Sequence, residues 1–66
     1  MMVVLVVDNL TETSELEKAL VAANIEFQLA IDMGQYGIQP PHIVVNGVPL
    51  DEDRSFKWIK EYRDEC

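Results

Sequence analysis

Residues Met2-Val-Val-Leu-Val-Val7 form an unbroken apolar run dominated by β-branched side chains. Successive side chains of a strand point to opposite faces of a sheet, so a run without alternation reads as a strand buried on both faces. The run is far shorter than the roughly 20 residues of a membrane span. It also lacks the basic flank and small-residue cleavage site of a signal peptide. The chain must therefore give this strand a neighbour on each side and a cover over each face. It has 66 residues for that purpose, which suits a single domain spanning 1–66, and a domain of that size buries only about 60% of the surface its unfolded chain exposes. A hydrophobic content of 48% makes one small core feasible.

The remaining elements follow from periodicity and turn chemistry. Asp8 and Asn9 end the first strand. Leu16, Ala19, Leu20 and Ala23 repeat at the spacing of one helical face, which predicts a helix over Thr11 to Ala23. Thr11, Thr13 and Ser14 are candidate N-caps, Ser14 with Glu17 fits a capping box, and Asn24 tolerates a left-handed stop. Ile25 to Ile31 alternates, with Ile25, Phe27, Leu29 and Ile31 toward the core, as expected of a strand nearer an edge than the first. Asp32 to Pro41 carries Gly34, Gly37, Pro40 and Pro41 and has no helical period, so it reads as a connection. His42 to Val45 is a third strand, Asn46-Gly47 a hairpin turn, and Val48 to Leu50 a fourth strand held at an edge by Pro49. Asp51 or Asp53 caps a last helix reaching about Arg63, with Phe56, Ile59 and Tyr62 or Arg63 inward and Trp58 on a flank. The β-α-β-β-β-α order implies an α/β domain: a four-stranded mixed sheet with two helices, the first two strands parallel through a right-handed crossover.

Twelve acidic residues oppose five basic ones, for a net charge of -7. A surface of that sign repels phosphate backbones, which argues against nucleic acid as a partner and suits a protein with a basic surface, or simply solubility. The one cysteine, Cys66, cannot pair within the chain, in keeping with a reducing compartment such as the cytoplasm.

This layout resembles the thioredoxin-like fold, and the glutaredoxins within it. Pro41-His-Ile-Val-Val-Asn-Gly47 is similar to that family's proline, strand and Asn-Gly segment, Ile25-Glu-Phe27 to its second strand, and Asp51-Glu-Asp53 to the acidic start of its last helix. The resemblance implies that the Pro40–Pro41 bond is cis and adjoins the redox loop. It places Leu10 at the nucleophile position and Thr13 at the resolving position, with Thr11 between them. The chain departs from the family there, because neither leucine nor threonine can attack a disulfide as a thiolate does. It departs again where the family's middle helix is replaced by the loop Met33 to Gln39, and at Pro40, which has no N–H to pair with a substrate peptide. Compact redoxin-like chains of this kind are often phage-encoded, which makes a regulator of a host protein a natural role.

These readings converge on a redox-inactive binding module that needs no cofactor and no metal. Its expected contact surface is Leu10, Thr11, Thr13, Tyr36, Pro40, Pro41 and His42. Tyr36, between two glycines, is either a contact residue or the cover that replaces the lost helix. His42 has no second histidine or cysteine at metal-binding spacing. Asp51, Glu52 and Asp53 are accounted for by helix capping. Trp58 and Tyr62, four apart, extend the core or form an apolar patch for a partner or a second copy. The rival roles are a glutaredoxin-like reductant working through Cys66, whose acidic neighbours Asp64 and Glu65 oppose thiolate formation, and a homodimer or larger homo-oligomer built on the Val48–Leu50 edge.

Overall fold

A computed structural model describes residues 1–9 and 14–64. Six elements follow one another: β1 (Val3–Val7), α1 (Glu15–Ala22), β2 (Gln28–Ile31), β3 (His42–Val45), β4 (Val48–Leu50) and α2 (Glu52–Asp64). The strands make one mixed sheet in the order β2-β1-β3-β4. β1 is central, as its composition requires. It runs parallel to β2, with Leu5 beside Leu29 and Val7 beside Ile31, and antiparallel to β3, with Leu5 beside Ile43 and Val6 beside His42. β3 and β4 form the hairpin, and β4 is an outer strand. Among the described residues no helix is long and apolar enough to cross a membrane.

Local chemistry sets each boundary. Ser14 is extended, and its Oγ accepts from the Glu17 N–H at 3.1 Å, so α1 starts at Glu15 rather than at Thr11. Residues 11–13, where the earlier start was expected, lie outside the described residues. At the other end Asn24 turns left-handed with φ 58. Its N–H donates to the Val21 carbonyl and the Ile25 N–H to the Leu20 carbonyl, each at 3.0 Å. These are the two bonds of a Schellman stop, and buried Leu20 and Ile25 are the apolar pair that accompanies it. This stop also corrects the expected start of β2. The Ile25 N–H closes the helix and is not free for a ladder, so the strand begins three residues later, at Gln28. In the hairpin, Asn46 and Gly47 both have positive φ, 52 and 85, which is the type I′ geometry that matches strand twist. Asn46 also ties the turn to the chain start: its N–H donates to the Met2 carbonyl at 2.8 Å, and its Oδ1 accepts from the Met2 N–H at 3.0 Å.

Asp51 caps α2, accepting from the Arg54 N–H at 2.8 Å. The inner face of α2 is the expected one at Ile59 and Tyr62 but not at Phe56. Ser55 and Ile59 are buried and Trp58 and Tyr62 pack against the core, whereas Phe56 is 38% exposed. Ser55 sets the phase. Its hydroxyl accepts from the Ile43 N–H at 3.2 Å and donates to the Leu50 carbonyl at 3.0 Å, so it bridges β3 and β4. A helix turned to bury Phe56 would withdraw that hydroxyl and leave both backbone groups unsatisfied.

Both helices lie on one face. Val3, Leu5, Val7 and Ile43 of the sheet form the core with Leu16 and Leu20 of α1, Ile25 and Ile59 of α2. Alternation sends Val6, His42 and Val44 to the opposite face, and they too are buried. No helix connects β2 to β3, and from the 32–41 connection the Tyr36 ring covers His42 there.

Candidate functional site

The 32–41 connection is built from short-range bonds. The Asp32 N–H continues the β2 pairing by donating to the Val7 carbonyl at 2.8 Å. Asp32 Oδ1 then accepts from the Gly34 N–H at 3.3 Å, and Gln35 Oε1 from the Met33 N–H at 2.7 Å. Gly34 and Gly37 supply the positive-φ positions, 80 and 67, that let so short a segment double back. The turn leaves the Met33 side chain 84% exposed. The connection ends at Pro40–Pro41, whose peptide bond is cis, the isomer the resemblance implied. β3 begins at the next residue.

Beneath this segment lies His42. Its ring meets the Tyr36 ring edge-on, with centroids 5.5 Å apart and planes at 81°. The quadrupoles of two aromatic rings favour that arrangement. His42 was expected on the contact surface, but its exposure is 0%. It sits on a central strand face and Tyr36 closes over it, so a partner at this end would meet Tyr36, Pro40 and Pro41, all half-buried, and not the imidazole. Nδ1 lies 3.5 Å from the Ile43 carbonyl oxygen, and buried Nε2 has no hydrogen-bond partner among the described residues. Tyr36 is thus a cover for the sheet that keeps part of its surface open.

The other expected site residues separate. Leu10, Thr11, Thr13 and Cys66 lie outside the described residues. The Asp51 carboxylate is engaged as a cap, and Glu52 and Asp53 are exposed in the first turn of α2, where negative charge suits the helix dipole. Trp58 and Tyr62 stack with centroids 5.5 Å apart and planes at 31°, and both pack on the core.

One feature was missed in the sequence. The outer edge of β2 carries Leu29 and Ile31, 46% and 42% exposed, on the face they share with Leu5 and Val7. An open depression of about 240 Å³ adjoins the start of that strand, lined by Met1, Met2, Val3, Glu26, Phe27 and Gln28. The available signal was the lack of any proline, glycine or lysine in Phe27 to Ile31, the residues that ordinarily guard an edge. Compared with known proteins, the chain matches no family model, no curated protein and no solved structure.

Proposed function

We propose that this chain is a small, acidic, redox-inactive protein of thioredoxin-like fold that acts as a protein-binding module or regulator. The β2-β1-β3-β4 order, with β1 and β2 parallel and β3 and β4 antiparallel, is compatible with that fold. The observation that carries the binding reading is at the end of the sheet where a redoxin of this layout has its thiols. Met33, Tyr36, Pro40 and Pro41 present apolar and aromatic surface there, on a base held by buried His42. The resemblance to the glutaredoxins puts Leu10 at the nucleophile position. An apolar group at a reactive spot gives contact instead of chemistry, and aromatic side chains and methionine are enriched where proteins meet. The acidic surface favours a basic partner and raises its rate of encounter.

Affinity capture with tagged protein at two salt concentrations tests this. One captured species is expected, lost with Leu10→Asp while the circular dichroism spectrum is unchanged. Capture undiminished by Leu10→Asp would remove this surface from the assignment. Glutathione-dependent turnover that disappears in Cys66→Ser would replace the binding module with a reductant.

A further inference from the structure

We propose that the outer edge of β2 accepts an extended segment of a partner protein, one with apolar side chains at alternate positions and a basic residue at each end. This surface is separate from the 32–41 face, so the inference stands whether or not that face binds.

The two outer strands of the sheet differ. β4 has three residues, and Pro49, opposite Val44, stands at its centre. Proline has no N–H to offer and discourages further pairing. β2 has no such guard. The Asp32 N–H points inward to Val7, and the peptide groups of a strand alternate between its two sides. Leu29 and Ile31 therefore turn their N–H and C=O groups outward, to the side where no strand neighbours β2 among the described residues. Their side chains are the half-exposed apolar groups beside the core. A strand laid along this edge would satisfy the backbone and cover the side chains together, which is the recognition mode of strand addition.

Charge selects the occupant. Glu26 stands before β2 and Asp32 directly after it, six positions and about 20 Å apart along an extended chain. Lys18 is the only lysine or arginine before Arg54, so basic residues near this edge are scarce. A second copy pairing about Leu29 is disfavoured for the same reason. Antiparallel pairing of β2 with itself about Leu29 sets Glu26 against the copy's Asp32 at both ends, and like charges placed opposite each other oppose pairing. A partner strand with lysine or arginine at those two places turns both repulsions into attractions.

The test uses two capped synthetic peptides, Lys-Val-Thr-Val-Thr-Val-Lys and Glu-Val-Thr-Val-Thr-Val-Glu, titrated into ¹⁵N-labelled protein. The basic peptide is expected to shift the Leu29 and Ile31 amides and to bind about tenfold more tightly than the acidic one at low salt, a difference that salt reduces. Ile31→Pro, which removes an outward N–H and leaves the ladder to β1 in place, is expected to abolish the shift of the Leu29 amide. Glu26→Lys, at an exposed position outside the strand, is expected to narrow the preference without altering the fold. Shifts confined to other residues, equal affinity for the two peptides, or no binding of the basic peptide at millimolar concentration would overturn the proposal. So would concentration-dependent shifts of the Leu29 and Ile31 amides accompanied by dimers in sedimentation, which would assign the edge to a second copy.

Discussion

The two faces of the sheet are covered by different means. On one, two capped helices press Leu16, Leu20 and Ile59 onto Val3, Leu5, Val7 and Ile43, an aliphatic centre with Phe27, Trp58 and Tyr62 packed at its margin. On the other, where Val6, His42 and Val44 are buried, a turn-rich segment sets an aromatic ring, Tyr36, on the His42 imidazole. Both faces become dry, but the second one retains a buried nitrogen with no partner among the described residues. The contrast teaches that a short chain can bury a two-sided strand with a single layer of helices if one connection serves as the second layer. That connection covers less well, because ten residues held by local turns cannot interdigitate as two helices do.

If this contrast is sound, Leu5→Ala should be the most damaging change. It opens a cavity under both helices and should cost about 4 kcal/mol, against a total of only about 5 kcal/mol for a domain of this length. Circular dichroism at room temperature should find about 15% of that variant unfolded, against a negligible fraction of the parent. Val6→Ala, the adjacent residue on the other face, should cost about 2 kcal/mol and stay folded. Equal losses would break the comparison. Next in size is Ser55→Ala, which leaves the Ile43 N–H and the Leu50 carbonyl without their bridge and should lower stability by about 2 kcal/mol in urea unfolding. Tyr36→Leu should cost about 1 kcal/mol. It should also speed hydrogen exchange in β3 while α1 keeps its protection, so uniform acceleration would mean that the two covers form one cooperative layer. His42→Leu should have the smallest effect and the opposite sign. Removing an unpartnered buried nitrogen while keeping the volume should raise stability by about 1 kcal/mol. A loss would show that the imidazole is better satisfied than its surroundings suggest.

Much of the fold was legible because the residues that set it have strong local preferences. The doubly apolar β1, the left-handed Asn24, the Asn46-Gly47 turn and the edge proline Pro49 each exclude most alternatives on their own. The misses share a cause. The start of β2 depended on the Ile25 N–H bonding back to Leu20, and the phase of α2 depended on a serine bridging two strands. Neither contact leaves a hydrophobic period in the sequence. Of the candidate site, the cis Pro40–Pro41 bond was implied by the resemblance, but the placing of the Tyr36 ring on buried His42 is a contact across the turn, which spacing along the chain does not encode. The bare edge of β2 was readable and was passed over because its alternation drew attention to the side that faces the core.

The position of β1 has a consequence for how the chain is made. The central strand is synthesised before all of its neighbours: α1 and β2 follow it, Val3 must wait for Val45, and Ile59 comes later still. The most apolar stretch therefore leaves the ribosome before the described elements that enclose it. During that interval it is an exposed β-forming segment of the kind that chaperones capture and that crowded nascent chains aggregate through. The brevity of the domain limits the interval. A compact arrangement of short connections shortens the wait between the strand and its cover as well as the distance between them.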